Sequence, residues 1–179
     1  MVTIKVEGMA QAMQAFTGIE LALKTGLTNA SNELLERVDA EVVNNLGNVK
    51  YGSGEINRYN HKSTDDSDGT IQGRYWNDSD VGMYREFGTG PVGEAHHAGI
   101  SPEVHPVYTQ TRWFIPVDQV DVDLEAVYGI PKITLGDKEF FMTRGQPARP
   151  WMYPAFQTVS KDAEGIVERS VNQALKGLQ

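Results

Sequence analysis

Glu94, His96, His97 and His105 are residue types that bind transition metals, and they fall within twelve positions of one another. A zinc site needs three or four such groups converging, and no His-x-x-x-His pair on one helix face exists here. His96 and His97, as neighbours, point to opposite sides of an extended chain. Solvated loop histidines are therefore expected, with a small metal-dependent hydrolase or ligand-binding module as an alternative. Gly88-Thr89-Gly90-Pro91-Val92-Gly93 matches the G-x-G-x-x-G phosphate fingerprint, which needs a strand before it and a helix N-terminus after it. Pro91 interrupts it and no helical stripe follows, so a turn is expected. Asp65-Asp66-Ser67-Asp68-Gly69 resembles the opening of a calcium loop, but the bidentate Glu at the twelfth position is missing. That stretch reads as a polar tip.

Nucleophilic chemistry finds no foothold. There is no G-x-S-x-G elbow and no Walker-type phosphate loop. The absence of cysteine removes disulfides, thiolate metal sites and cysteine nucleophiles together. Chance carboxylate pairs exist among 24 acids, and the sequence does not fix their geometry. Trp76, Trp113 and Trp151 read as packing residues in preference to stacking platforms. The expectation is a chain that is not an enzyme and uses no cofactor and no metal.

Composition bounds the rest. The 179 residues suit a single domain spanning 1–179 with a real core. Sixteen basic against 24 acidic residues give a net charge of −8, which argues against gripping nucleic acid through its phosphates. No run of apolar residues is long enough to span a membrane. The start, MVTIKVEGMAQAM, lacks the basic-then-apolar pattern of a secretion signal.

The elements that must position any site follow from periodicity. Val2–Val6 alternates like a short strand. From Met9 to Leu46 apolar residues recur at steps of three and four, predicting one long helix or two in series, with Gly18 or Gly26 as the weak point. Gly47 is a plausible stop. Residues 48–80 are rich in Asn, Asp, Ser and Gly and show no period, so they read as a polar loop arm with one strand pair near 56–59 and 71–76. A second arm, about 98–143, holds strands near 104–116 and 132–143, the latter a hairpin about Gly136-Asp137. Between these strands Asp118, Asp121, Asp123 and Glu125 form a run without a base. From Trp151 to Leu178 one apolar face predicts a final helix, with Pro154 in its first turn. The fold class expected is α+β: long N-terminal and C-terminal helices packed on a small, mostly antiparallel sheet.

Two short segments stand out from this frame. One is Met83-Tyr84-Arg85-Glu86-Phe87-Gly88-Thr89-Gly90; the other is Gly145-Gln146-Pro147-Ala148-Arg149-Pro150-Trp151-Met152-Tyr153-Pro154-Ala155. Phe87 beside the glycines reads as a buried anchor where the chain reverses and approaches another backbone. Glu86 and Arg149 are single charges among apolar residues, a setting in which charges are normally paired, so a Glu86–Arg149 ion pair is expected. Pro147 and Pro150 hold the preceding residues extended, which fixes the entry of the last helix so that Trp151 and Phe156 dock into the sheet.

In this order, after a long N-terminal helix and before a terminal one, the two segments resemble the head–tail joining (neck) proteins of long-tailed phages, the gene-product-ten-like type also described as minor tail or tail-completion proteins. The resemblance covers 1–47 and 157–179 in pattern and 83–90 and 145–156 in motif. It implies a structural virion protein in a ring at the junction of the DNA-filled head and the tail, assembled in the host cytoplasm. Its partners would be copies of itself in sixfold or twelvefold closure, connector proteins on the head side and tail-terminator or tube proteins on the other. A tail terminator capping the tube is the alternative at the same junction. Tyr84, Glu86, Phe87, Gly88, Thr89, Arg149, Pro150, Trp151 and Pro154 would be fold and assembly determinants. DNA would pass through unbound, and Asp65, Asp66, Asp68, Asp118, Asp121, Asp123 and Glu125 are possible channel-lining acids. Such a ring needs two different patches on each copy, and the arms at 48–80 and 98–128 are expected to order only on assembly.

Overall fold

The computed structural model describes residues 8–47 and 53–178. The strand expected at Val2–Val6 lies outside them. The architecture is α+β. In chain order the elements are α1 (Met9–Gly47), α2 (Ser53–Asn57), β1 (Asn60–Ser67), β2 (Thr70–Asn77), α3 (Asp80–Phe87) and α4 (Gly90–Ala95). They continue with β3 (Trp113–Pro116), a 3-10 turn (Val117–Gln119), α5 (Leu124–Tyr128), β4 (Lys132–Leu135), β5 (Lys138–Thr143), α6 (Met152–Ser160) and α7 (Ala163–Lys176). Two compact units result, Met1–Asn77 with Ala155–Gln179, and Asp78–Pro154. Among the described residues no helix is long and apolar enough to cross a membrane.

The first unit is built on α1, an unbroken helix of 39 residues, about 58 Å long at 1.5 Å per residue. Neither Gly18 nor Gly26 interrupts it. Gly26 instead lets α7 approach: a Cβ there would sit 2.7 Å from the Val171 Cα. The buried row against α7 is the small one, Ala22, Gly26 and Ala30, at steps of four. The large residues expected in the core from the first half of α1 are not in it; Met9, Met13, Phe16, Leu21, Leu23 and Leu27 are all exposed. Beyond Ala30 the large residues do go inside, as Leu35, Val38, Val42 and Leu46. The single terminal helix expected from Trp151 onward is two. The Ser160 hydroxyl donates to the Gln157 carbonyl and the Asp162 amide to the Val159 carbonyl, which closes α6 before α7 begins.

Residues 60–77, expected as part of a polar loop arm, are mostly strand. They form an antiparallel hairpin of two eight-residue strands, paired from Asn60↔Asn77 to Ser67↔Thr70. The segment 56–59, expected as one strand of the pair, belongs instead to α2 and the turn after it. Asp68 and Gly69 both have positive φ, 54° and 74°, as a two-residue hairpin turn requires. One face of the hairpin meets α1 through polar groups at every second residue. Lys62 Nζ donates to Glu36 Oε2 at 2.6 Å and to Asp39 Oδ2 at 3.0 Å. Thr64 Oγ1 donates to Asn32 at 2.7 Å, Tyr75 Oη donates to Asp39 at 2.7 Å, and Asp66 pairs with Lys24. An alternation carried by polar partners leaves no hydrophobic period to read.

The second unit centres on an all-antiparallel sheet in the order β3-β5-β4, a sheet separate from the hairpin. The hairpin about Gly136-Asp137 forms as expected, with Leu135 opposite Lys138. The strand expected at 104–116 shrinks to Trp113–Pro116, because β5 offers partners only to those four residues. Residues 104–110 have no regular structure, and Val107 is fully exposed.

Candidate functional site

The two sequence segments singled out above meet in the second unit. Ser79 caps α3, its hydroxyl accepting from the Gly82 amide at 3.3 Å, and the helix carries Tyr84, Arg85, Glu86 and Phe87 toward its C-terminus. Gly88 ends it at φ 75°. Thr89 then pairs with Gln146 as an antiparallel bridge: the Thr89 amide donates to the Gln146 carbonyl at 2.9 Å and the Gln146 amide returns to Thr89 O at 3.2 Å. The Arg149 amide donates to the Arg85 carbonyl, and the Ala148 amide to the His96 carbonyl, each at 2.8 Å. The chain around Gly88 runs so close to its partner that a Cβ there would lie 2.6 Å from the Ala148 nitrogen. Gly145, at φ 106°, has the Thr89 carbonyl in the space a Cβ would need.

Glu86 is the centre of this clasp. It is 5% exposed, and its carboxylate caps α6. Oε2 accepts from the backbone amides of Trp151 at 2.6 Å and Met152 at 2.9 Å, and Oε1 from Tyr153 at 3.0 Å. A helix start leaves four amides without intrahelical partners. Here three bond to Glu86, and the fourth position is Pro154, which has no N–H. The negative charge also complements the positive end of the helix dipole. The Trp151 indole donates to the Gly82 carbonyl at 3.1 Å, which ties this buried ring to α3. Phe156, expected beside it, lies in the other unit, edge-on to Tyr75 of β2.

The expected Glu86–Arg149 ion pair is not formed. The backbone amides already satisfy the carboxylate, and among the described residues no ion pair joins Arg149 to any acid. Arg149 instead lies near Arg85. Burial, and then the Arg149 charge, hold the Arg85 guanidinium below its ordinary value, and its Nε is buried without a partner. Phe87 is half-buried, so the anchor of this segment is its neighbour Glu86. Tyr84 is exposed, while its carbonyl accepts from Gln146 Nε2 at 3.1 Å. Pro150 lies between the Arg149 and Trp151 contacts, and Pro154 in the first turn of α6.

The metal-type residues take separate local roles. The His97 ring stacks on Tyr108 at 5.8 Å, Glu94 accepts from Gln110 at 2.7 Å, and His96 Nδ1 lies 3.1 Å from the Val92 carbonyl. Among the described residues no three His, Asp or Glu side chains are grouped to hold a metal ion. The G-x-G-x-x-G segment does lead into a helix, contrary to expectation, but α4 has only six residues and its glycines face backbone at 144–148.

The seven acids are all exposed and divide between the units, with Asp65, Asp66 and Asp68 in the first and Asp118, Asp121, Asp123 and Glu125 in the second. Asp66 is tied to Lys24. Asp123 caps α5, where the Ala126 amide is the largest cause holding its carboxyl below the ordinary value. Asp68, Asp118 and Asp121 have no ion pair among the described residues. Sequence reasoning missed the polar seam between α1 and the hairpin. The Asp68-Gly69 dipeptide was the available signal for the hairpin itself.

The chain matches no family model, no curated protein and no solved structure.

Proposed function

We propose that this chain is a structural protein of a tailed bacteriophage that forms a ring at the head–tail junction. One observation carries the reading. The two segments on which the family resemblance rests are separated by about 60 residues in sequence, yet they interlock through Glu86, Thr89 and Gln146. This pairing makes their joint presence a single structural device. A carboxylate closing a helix N-terminus, with backbone apposed at glycines, orients α3 against the start of α6, as a subunit repeated around a ring requires. The same clasp contains no nucleophile–base pair, which favours assembly over catalysis.

The net charge of −8 suits a passage through which DNA slides, since carboxylates repel phosphates. Of the proposed lining acids, Asp65, Asp68, Asp118, Asp121 and Glu125 have no ion pair within the described residues to neutralise them.

The test is deletion of the gene in its parent phage or prophage, followed by electron microscopy of the lysate. DNA-filled heads beside free tails of normal length are expected. Overlong or ragged tails would move the protein to the tail-terminator position. Intact infectious particles would overturn the proposal.

A further inference from the structure

The hairpin of the first unit is a sheet of two strands, so β1 and β2 each have one side without a strand neighbour. The two edges differ. β1 carries Lys62, Asp65 and Asp66, the kind of charges that keep an edge from pairing with other chains. β2 has no proline, pairs one-to-one with β1 over its whole length without a bulge, and carries a single charge, Arg74. The two-residue turn at Asp68-Gly69 makes Ser67 and Thr70 a hydrogen-bonded pair, and such pairs recur at every second position. The amides and carbonyls of Gln72, Arg74 and Trp76 therefore turn toward β1, and those of Ile71, Gly73 and Tyr75 toward the open side. Outside the ladder, no hydrogen bond among the described residues reaches the backbone of these three.

A cleft of about 500 Å³ adjoins that open side, lined by Ser63, Gly73, Arg74, Tyr75, Trp76 and Phe156. Gly73 is exposed and offers bare backbone to the cleft. Trp76 and Phe156 are each 40% exposed. The His61 ring, on β1, stacks on Trp76 at 5.3 Å and holds the indole from the side away from the edge. Arg74 donates to Gln72 at 2.9 Å and has no ion pair among the described residues.

We infer that β2 takes an extended segment of another protein as a third strand, with a carboxylate of that segment on Arg74. Strand addition draws affinity from main-chain hydrogen bonds and specificity from alternate side chains. Alternation puts the added carboxylate on the face that carries Arg74, and the side chain two residues along beside Trp76. The residue between them turns to the other face, beside Tyr75 and Phe156, where an apolar side chain fits. A second copy of β2 fits less well, because β2 has no acid and would bring no carboxylate to Arg74. The inference goes beyond the ring-building proposal and does not rest on it, since edge, cleft and cation all belong to the first unit.

Amide hydrogen exchange of the full chain, read by NMR, tests this residue by residue. In the free protein the amides of Ile71, Gly73 and Tyr75 should exchange much faster than those of Gln72, Arg74 and Trp76. The probe is a synthetic peptide of about ten residues, alternating Thr and Val, with one Glu and a Phe two places from it. It should bind saturably below about 1 mM and slow exchange at Ile71, Gly73 and Tyr75. Arg74→Glu changes an exposed side chain, so far-UV circular dichroism should not move, and peptide affinity should fall about tenfold. A peptide with Lys in place of its Glu should recover that loss. Edge amides already protected in a free chain of two-copy mass would assign the edge to a second copy and overturn the inference. Failure of the peptide to bind, protection confined to other residues, or binding indifferent to Arg74→Glu would overturn it as well.

Discussion

Replacing Glu86 by Gln isolates the charge of the clasp with almost no change in shape. A glutamine oxygen placed at the Oε2 position keeps the Trp151 and Met152 amide bonds but makes them neutral. Bonds to a charged acceptor are worth about 1.5–3 kcal/mol and neutral ones about 0.5–1.5, so about 1 kcal/mol is lost from each. The glutamine NH2 then faces the Tyr153 amide, donor against donor, where Oε1 had accepted at 3.0 Å. That bond is lost and a half-buried donor is left unsatisfied, at about 1–2 kcal/mol. The sum is about 3–4 kcal/mol. With a urea dependence of about 2–3 kcal/mol per molar, the unfolding midpoint should fall by about 1–2 M. Hydrogen exchange at the amides of residues 151–153 should accelerate with it. Arg149→Gln should be mild, and the double variant additive within about 0.5 kcal/mol. A Glu86→Gln loss below about 1 kcal/mol, or a coupling to Arg149 above that value, would refute the capping argument.

Gly26→Val should destabilise the α1–α7 contact by about 2 kcal/mol or more through overpacking, read as a lower thermal midpoint, because Val171 backbone occupies the space. Gly88→Ala should cost at least about 2 kcal/mol from the positive φ and the Ala148 nitrogen together, with faster exchange of the Thr89 and Gln146 amides. The hairpin should come away from α1 at alkaline pH before the α1–α7 packing yields. The Glu36 carboxylate, and then Asp39, raise the Lys62 ammonium, while burial and then Asp39 raise the Tyr75 phenol. Both folded values exceed the unfolded ones, so their contribution is complete below about pH 10 and is lost as pH climbs through the folded values. NMR of hairpin amides between neutral and strongly alkaline pH checks the order of events.

The helices were legible because hydrophobic period reports burial, and it failed where burial used other residues. The row of α1 that packs on α7 is Ala22, Gly26 and Ala30, whereas the period is dominated by Met13, Phe16 and Leu23 on a bare face. The second strand of the hairpin at 60–77 was legible near 71–76, but the first was hidden because its inward positions, Lys62 and Thr64, reach Asp and Asn on α1. The hairpin at 132–143 was plain because its Gly-Asp turn separates apolar strands. In the clasp, residue types identified the right segments but the wrong bond. A lone carboxylate among apolar residues calls for a partner, and sequence offers only charged side chains as candidates. Three consecutive backbone amides appear only once α6 is in place.

The clasp also sets an order of events during synthesis. Glu86 is made 65 residues before Trp151. At about 5–20 residues per second, the ribosome leaves that carboxylate without its helix for about 3–13 s. The hairpin of β4 and β5 can form within microseconds of emerging, far inside that interval. The second unit therefore waits, with its local pieces made, for a segment translated late in its own span. A pause or cleavage between Tyr128 and Trp151 would strand it open, with Glu86 still in water.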